Sequence, residues 1–166
     1  MNNVRFAGAD AIAIGEEDLA WLKEAALQSP LRRARICLHV NHQAQVQEML
    51  IALCQGSYIP PHRHRVKTES YHVVEGEMDV LVLDDAGNLA QRISLGPARS
   101  GKSFLFRQTG KMWHTVLPLT PFVLMHETTT GPYSPGETEH AAWAPEPSDF
   151  VGIEEFWRRI NATKDW

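Results

Sequence analysis

The sequence predicts a mainly β protein, a sandwich or barrel with one helix before its strands and one after them. From Ala34 to Glu127 the chain consists of short segments rich in Val, Ile, Leu, Tyr and Phe. Turn-forming clusters separate these segments, at Gln55-Gly56, Pro60-Pro61, Glu75-Gly76, 84–88, Gly96-Pro97 and Thr109-Gly110. Short strands at this spacing are typical of sandwiches and barrels.

Two segments outside the strand region have helical patterns. The segment from Glu16 to Gln28 opens with three acidic residues, which favour a helix N-terminus, and Pro30 ends it. From Asp149 onward, apolar residues at i, i+3, i+4 and i+7 predict a second helix. Residues 128–148 contain four prolines and two glycines without periodicity, so we expect an arm that lies over the barrel surface rather than a further core layer.

The length of 166 residues, with 43% apolar and 22% charged residues, fits one domain. We divide it into an N-terminal helical segment (1–33) packed on the barrel, the barrel (34–128), and a C-terminal arm and helix (129–166). The 16 basic and 20 acidic residues give a net charge of −4, which argues against binding to nucleic acid or to anionic membranes. The N-terminus lacks a secretory pattern, and Cys37 and Cys54 are expected to be buried free thiols, so we expect a cytoplasmic protein.

The stretch from Gly56 to Gly76, GSYIPPHRHRVKTESYHVVEG, carries the pattern that indicates chemistry. His62 and His64 lie two residues apart, so on a strand both point to the same face. Glu69 begins the next predicted strand and can return to the same point. The chain contains eight histidines, and histidine is the commonest metal ligand. The spacing predicts a metal site, in preference to two surface histidines in a polar loop.

This stretch resembles the first sequence motif of the cupin superfamily. Cupins are small double-stranded β-helix, or jelly-roll, barrels that hold one divalent metal through histidines and a glutamate. The resemblance implies that His62, His64 and Glu69 bind such a metal inside a single barrel.

The second cupin motif has its counterpart in RQTGKMWHTVLP, which contains Gly110 and His114. The resemblance implies that His114 is the third histidine ligand. The counterpart departs from the motif in three ways: Gln108 replaces a proline, one extra residue lies between Gly110 and His114, and Pro118 replaces an asparagine. Three other histidines remain as alternatives for the third ligand: His72, His126 and His140.

The chain also resembles the WbuC-type cupin-fold metalloproteins. The resemblance rests on a helix that ends in Ser29-Pro30, an arginine-rich start of the first barrel strand, the stretch VQEMLIALCQGSYIPPHRH, and Gly131-Pro132-Tyr133 in the tail. Several members are encoded in clusters for surface-polysaccharide biosynthesis, and the family has no settled reaction. The resemblance therefore points toward carbohydrate biosynthesis, with a sugar or sugar nucleotide as substrate.

Three imidazoles and one carboxylate suit Fe, Mn, Ni, Co, Cu or Zn and leave one or two coordination positions open. Open positions are typical of catalytic sites. The sequence therefore predicts a metal-dependent enzyme acting on a small polar metabolite, as an isomerase, epimerase, lyase or dioxygenase. The alternative is a non-catalytic sugar- or ligand-binding cupin whose metal is mainly structural.

Three residues near the motifs are candidates for catalytic roles. Lys67 is expected to bind a carboxylate or phosphate of an anionic or sugar-like substrate, unless it is a solvent-facing charge. Tyr58, four residues before His62, is a candidate proton donor or else a core tyrosine. His126 is a candidate general base if its face of the strand PFVLMHE points inward, and otherwise a capped or surface histidine.

Five tryptophans are more than one small core needs. Trp113 is expected to point away from the metal, and Trp143, Trp157 and Trp166 add apolar mass near the C-terminus. These residues predict a homodimer with an aromatic interface, although stacking on a cofactor would use the same side chains.

Overall fold

Two β-sheets face each other in the computed structural model, which describes residues 3–162. The two helices are α1 (Glu16–Gln28) and α2 (Phe150–Ala162). The strands, in chain order, are β1 (Val4–Phe6), β2 (Arg33–Cys37), β3 (Val46–Cys54), β4 (His62–His64), β5 (Thr68–Glu75), β6 (Met78–Leu83), β7 (Leu89–Leu95), β8 (Leu105–Thr109), β9 (Trp113–Pro118), β10 (Phe122–Thr130) and β11 (Thr138–His140). The predicted mainly β fold with a helix at each end is confirmed.

The strand order shows how the chain wraps into a barrel. One sheet has six strands in the order β1-β2-β3-β10-β5-β8, and the other has five in the order β11-β4-β9-β6-β7. From β3 to β6 and from β7 to β11, successive strands alternate between the sheets, so β4 and β5 lie in opposite sheets although the chain passes directly from one to the other. The two sequence motifs, which contribute β4, β5, β8 and β9, therefore meet between the sheets.

Helix α1 packs on the outer face of the six-stranded sheet. Leu22 and Ala26 are fully buried there, together with Ala52 of β3 and Leu124 of β10. Because side chains alternate along a strand, the neighbours of these strand residues point between the sheets. Both faces of β3 and β10 are thus covered.

Helix α2 packs on the outer face of the five-stranded sheet and buries the aromatic residues near it. Phe156 and Ile160 of α2 form a cluster with Trp113, against which Trp143 and Trp157 also pack. The expectation that Trp113 points away from the histidines is confirmed. These three tryptophans pack against other residues of the same chain. Trp166 lies outside the described residues. The homodimer stays a prediction.

Two short edge strands correct the predicted organisation. Strand β1 lies in the segment that we predicted to be only helical, and it pairs in parallel with β2. The arm is not only a surface cover: β10 continues to Thr130, and β11 pairs with β4. Each of these strands is only three residues long and pairs with a barrel strand on one side, so the sequence gives it no apolar pattern of its own.

Two smaller expectations have structural counterparts. Cys37 and Cys54 are buried free thiols, as predicted. Among residues 3–162, neither helix has the length and apolarity needed to cross a membrane.

Candidate metal centre

Three histidines converge between the sheets. His62 and His64 come from β4, and His114 comes from the adjacent β9, where it pairs directly with His62. The ring centroid of His62 lies 4.3 Å from that of His114 and 5.2 Å from that of His64. One nitrogen of each ring lies within 4.8 Å of the other two. The structure therefore brings together the three predicted histidine ligands.

The extra residue in the second motif is absorbed by the turn before β9. Gly110 and Lys111 both have positive φ angles, of 39° and 65°, and form the turn. Their amides donate to the carbonyl oxygens of Lys67 (2.9 Å) and His64 (2.7 Å). The turn is thus attached to the backbone of the first motif, and His114 reaches its place despite the insertion.

Hydrogen bonds at Nδ1 orient the rings. The Nδ1 atoms of His62 and His114 lie 3.0 Å from the carbonyl oxygens of Pro60 and Met112. A carbonyl oxygen only accepts, so each Nδ1 carries the proton and each Nε2 keeps its lone pair. The third ring has a hydroxyl in this role, because His64 Nδ1 lies 3.3 Å from the Oγ1 of a threonine in β11. This is the arrangement by which proteins fix the tautomer of metal-binding histidines.

Glu69, the predicted carboxylate ligand, lies beside two of the three histidines and comes from the opposite sheet. Its carboxylate oxygens lie 3.1 Å from His114 Nε2 and 3.6 Å from His64 Nε2. Two ligands of one metal, each at about 2.1 Å, are separated by about 3.0–3.4 Å. Burial acts to raise the pKa of Glu69, but the adjacent His114 and His64 imidazoles hold it well below the usual range, so the carboxylate is ionised.

The residues present fit a divalent transition metal. His64 Nε2 is buried and has no hydrogen-bond partner among the described residues, an expensive state that a metal ion would relieve. Burial, followed by the nearby His114, lowers the pKa of His62 to about 3, which keeps this imidazole neutral as a ligand must be.

Gln108 is a further polar residue of the centre. Its side chain is buried, and its Nε2 lies 2.9 Å from Glu69 Oε2 and 2.8 Å from His114 Nε2. Its Oε1 is buried and has no hydrogen-bond partner within residues 3–162. Gln108 occupies the position of the motif's proline, so the departure in sequence places an amide beside the carboxylate ligand.

A cavity of about 740 Å³ opens from the histidines along the inner face of the six-stranded sheet. Lys67 is buried at its wall, as the substrate-binding hypothesis required, and its ammonium lies 5.4 Å from the ring of Tyr133. Arg33 and Arg35 of β2 line the other part of the wall. Burial lowers the pKa of Arg33.

Glu127 faces the same cavity. Burial, followed by the charge of Glu69, raises its pKa to about 8, although the charges of Arg35, Arg33 and Lys67 act in the other direction. The carboxyl group is therefore protonated at neutral pH and is suited to hold or release a proton.

Two predicted catalytic residues do not reach the site. Tyr58 donates its hydroxyl hydrogen bond to the carbonyl of Pro145 (2.9 Å) and packs on α2, because Pro60-Pro61 interrupts the strand alternation that was expected to align it with His62. His126 lies on the outer face of β10, 3.7 Å from Glu48. Both proposed roles at the metal are corrected accordingly.

The three alternative third ligands also lie elsewhere. His126 is on the outer face of β10, His72 stacks edge-on with Phe104, and the exposed His140 lies at the cavity wall with its ring 6.0 Å from that of His62.

Sequence reasoning missed Gln108 as a polar residue of the centre, and it missed Glu127 and the two arginines as cavity residues. The alternation in PFVLMHE contained the signal for Glu127, since Val123 and Met125 on its face are the interior residues. Arg33 and Arg35 are likewise two residues apart on one strand.

Comparison with known proteins identifies the fold. The structure is similar to that of a protein from Shewanella oneidensis (12% identity, 71% of this chain and 75% of that chain, TM-score 0.53). It is also similar to an oxalate oxidase in complex with glycolate (19% identity, 74% of this chain and 61% of that chain, TM-score 0.52). A third similar structure is KdgF from a Halomonas species (17% identity, 66% of this chain and 86% of that chain, TM-score 0.50). At these identities the similarity is one of fold. The chain therefore shares its fold with these proteins, and this fold is the jelly-roll barrel that the resemblance to cupins implied.

The sequence comparisons add one result. A family model described as a domain of unknown function, DUF6016, matches residues 14–95, just under half of the chain. No curated protein matches the sequence significantly.

Proposed function

We propose that this cupin-fold protein is a metal-dependent enzyme that binds one divalent transition metal through His62, His64, His114 and Glu69. The observation that carries the proposal is the convergence of the three histidines, since one nitrogen of each ring lies within 4.8 Å of the other two and carbonyl oxygens hold the Nδ1 atoms of His62 and His114. A metal bound there would polarise an oxygen of the substrate or acidify a bound water.

The cavity favours an enzyme over a protein with a structural metal. A structural metal site is closed by its protein ligands, whereas here the histidines lie at the wall of a cavity of about 740 Å³. A volume of that size accommodates a sugar or a sugar derivative. Glu127, whose carboxyl is protonated at neutral pH, can exchange a proton with a substrate in this cavity.

The chemistry of the site fits isomerisation, epimerisation, elimination or oxygen-dependent cleavage of a small polar metabolite. The resemblance to WbuC-type proteins supports a sugar or sugar nucleotide as that metabolite. A non-catalytic sugar-binding cupin with a mainly structural metal is the second candidate, and it predicts a metal without an exchangeable water.

Elemental analysis of the purified protein tests the metal site. We expect about one transition metal per chain in the wild type, none in His64→Ala, and an unchanged content in His140→Ala, which removes an exposed histidine at the cavity wall. Far-UV circular dichroism checks that each variant folds. A wild type that neither carries nor binds a metal at micromolar concentration contradicts the proposal.

Loading the protein with Mn²⁺ separates the two candidates. An open coordination position gives enhanced relaxation of water protons, and a substrate-like polyol reduces this enhancement when it displaces the water. A bound Mn²⁺ without exchangeable water supports the structural-metal alternative.

A further inference from the structure

We propose that the basic part of the cavity wall, formed by Arg33, Arg35 and Lys67, is a binding subsite for an oxyanion, a carboxylate or phosphate carried by the substrate. The inference rests on the proposed function in one respect: the rest of the ligand would extend toward the metal centre.

The first argument is charge. The chain has a net charge of −4, yet the cavity wall carries three cations against the two carboxyl groups of Glu69 and Glu127. A divalent metal would add two more positive charges. The cavity is thus positive inside an acidic protein, and a positive cavity concentrates and binds anions.

The second argument is that these cations lack anionic partners. Over residues 3–162, none of the three forms an ion pair: the Lys67 ammonium lies over the ring of Tyr133, and the Arg35 guanidinium has its one side-chain hydrogen bond with the sulfur of Met49, at 3.9 Å. Lys67 is nevertheless only 7% exposed. Buried lysines are ordinarily paired, because desolvating an unpaired ammonium is costly. An anionic ligand would supply the missing partner.

The third argument is placement. Arg33 and Arg35 share the inner face of β2, and Lys67 lies in the turn between β4 and β5 next to the first motif. All three side chains line the same cavity, whose wall also contains Glu127. Guanidinium groups bind carboxylates and phosphates through paired hydrogen bonds, which makes β2 the recognition strand.

Contrast with the outer arginines supports this assignment. Arg63, one residue from two metal ligands, makes two hydrogen bonds of 3.0 Å to Glu139 and lies over the ring of Trp113. Its donors are occupied, whereas those of Arg33 are available to a ligand.

Titration with two simple anions tests the subsite. Inorganic phosphate and acetate are added at constant ionic strength to the metal-free and to the Mn²⁺-loaded protein, and binding is followed by calorimetry and, in the metal-free protein, by amide NMR shifts. The comparison between phosphate and acetate distinguishes a phosphate subsite from a carboxylate subsite. We expect at least one of them to bind the metal-free protein and to shift amides of β2 and of the turn containing Lys67.

Charge-removing variants localise the binding. Arg33→Gln and Lys67→Met should each weaken anion binding about tenfold, since each removes a charged hydrogen-bond donor. Arg107→Gln, which removes the same charge from an exposed position outside the cavity wall, should leave it unchanged. Two cavity variants on different elements keep the test valid if one of them fails to fold.

The inference is overturned if neither anion shifts an amide at tens of millimolar, or if both cavity variants bind as the wild type does. Elemental analysis of the same samples reports on the metal separately. If the protein binds an anion but no metal, the subsite is supported and the proposed function is contradicted. If it binds a metal but neither anion, the metal site is supported and the subsite is contradicted.

Discussion

Acid should destabilise the metal-free protein through His62. Burial, and then the charge of His114, lower the pKa of this imidazole from 6.5 to about 3. Between these values the unfolded chain binds a proton that the folded protein does not, so stability is lost as the pH falls below about 6.5. At pH 5, which is about 1.5 pH units below the pKa of histidine in the unfolded chain, the free energy of unfolding is lower by at most about 2 kcal/mol. For a domain of this length that is about 4–8 °C in Tm.

The assay compares the wild type with His62→Gln in the presence of a chelator. Thermal unfolding at pH 7 and pH 5, followed by circular dichroism, gives the drop in Tm for each protein. The drop should be about 4–8 °C smaller in His62→Gln, whereas His140→Gln, which removes an exposed histidine, should behave as the wild type. Equal drops in the wild type and His62→Gln would refute the reasoning, because other acid-sensitive groups are common to both proteins.

Three further predictions follow from single positions. Gly76→Ala should cost about 3 kcal/mol or more, because the new Cβ would lie 2.1 Å from the carbonyl oxygen of Phe122. Gly56→Ala, at a similar positive φ but with nothing within 4 Å, should cost only about 1 kcal/mol in urea unfolding. Glu127→Gln should raise the Tm of the metal-free protein more at pH 8 than at pH 5. With a pKa of about 8, Glu127 of the folded wild type keeps a proton that the unfolded chain releases above about pH 4.5. The stability of the wild type therefore falls as the pH rises between these values, and the variant does not share this loss. Gln108→Leu should weaken metal binding about 10–100-fold in competition with a chromophoric chelator, and unchanged affinity would show that its amide does not support the carboxylate ligand.

The sequence predicted that His62, His64 and Glu69 come together, because their placement depends on local rules. His62 and His64 share a face by the two-residue period of a strand, and Glu69 begins the strand that follows. The same rule failed for Tyr58, because two prolines lie between it and the strand. A period holds only as far as the strand continues.

The error at His126 has a different origin. In β10 the residues on both faces are apolar, since Leu124 packs under α1 and Val123 and Met125 fill the barrel. When both faces of a strand are covered, alternation gives two sets of residues and does not say which set is interior. The polar residue Glu127 could be assigned to the cavity only once the sheets were in place.

The departures from the second motif change the surroundings of the carboxylate ligand and leave the imidazoles in position. The register of β9 is fixed on both sides, because His114 pairs with His62 of β4 and with Val82 of β6. The inserted residue is therefore confined to the turn, where it cannot shift the ring. A proline at position 108 would have no side-chain donor, whereas Gln108 donates to Glu69 and keeps a buried, unpartnered oxygen beside the centre. Residue 108 is thus the position at which this chain departs from the motif by placing an amide against Glu69 and His114.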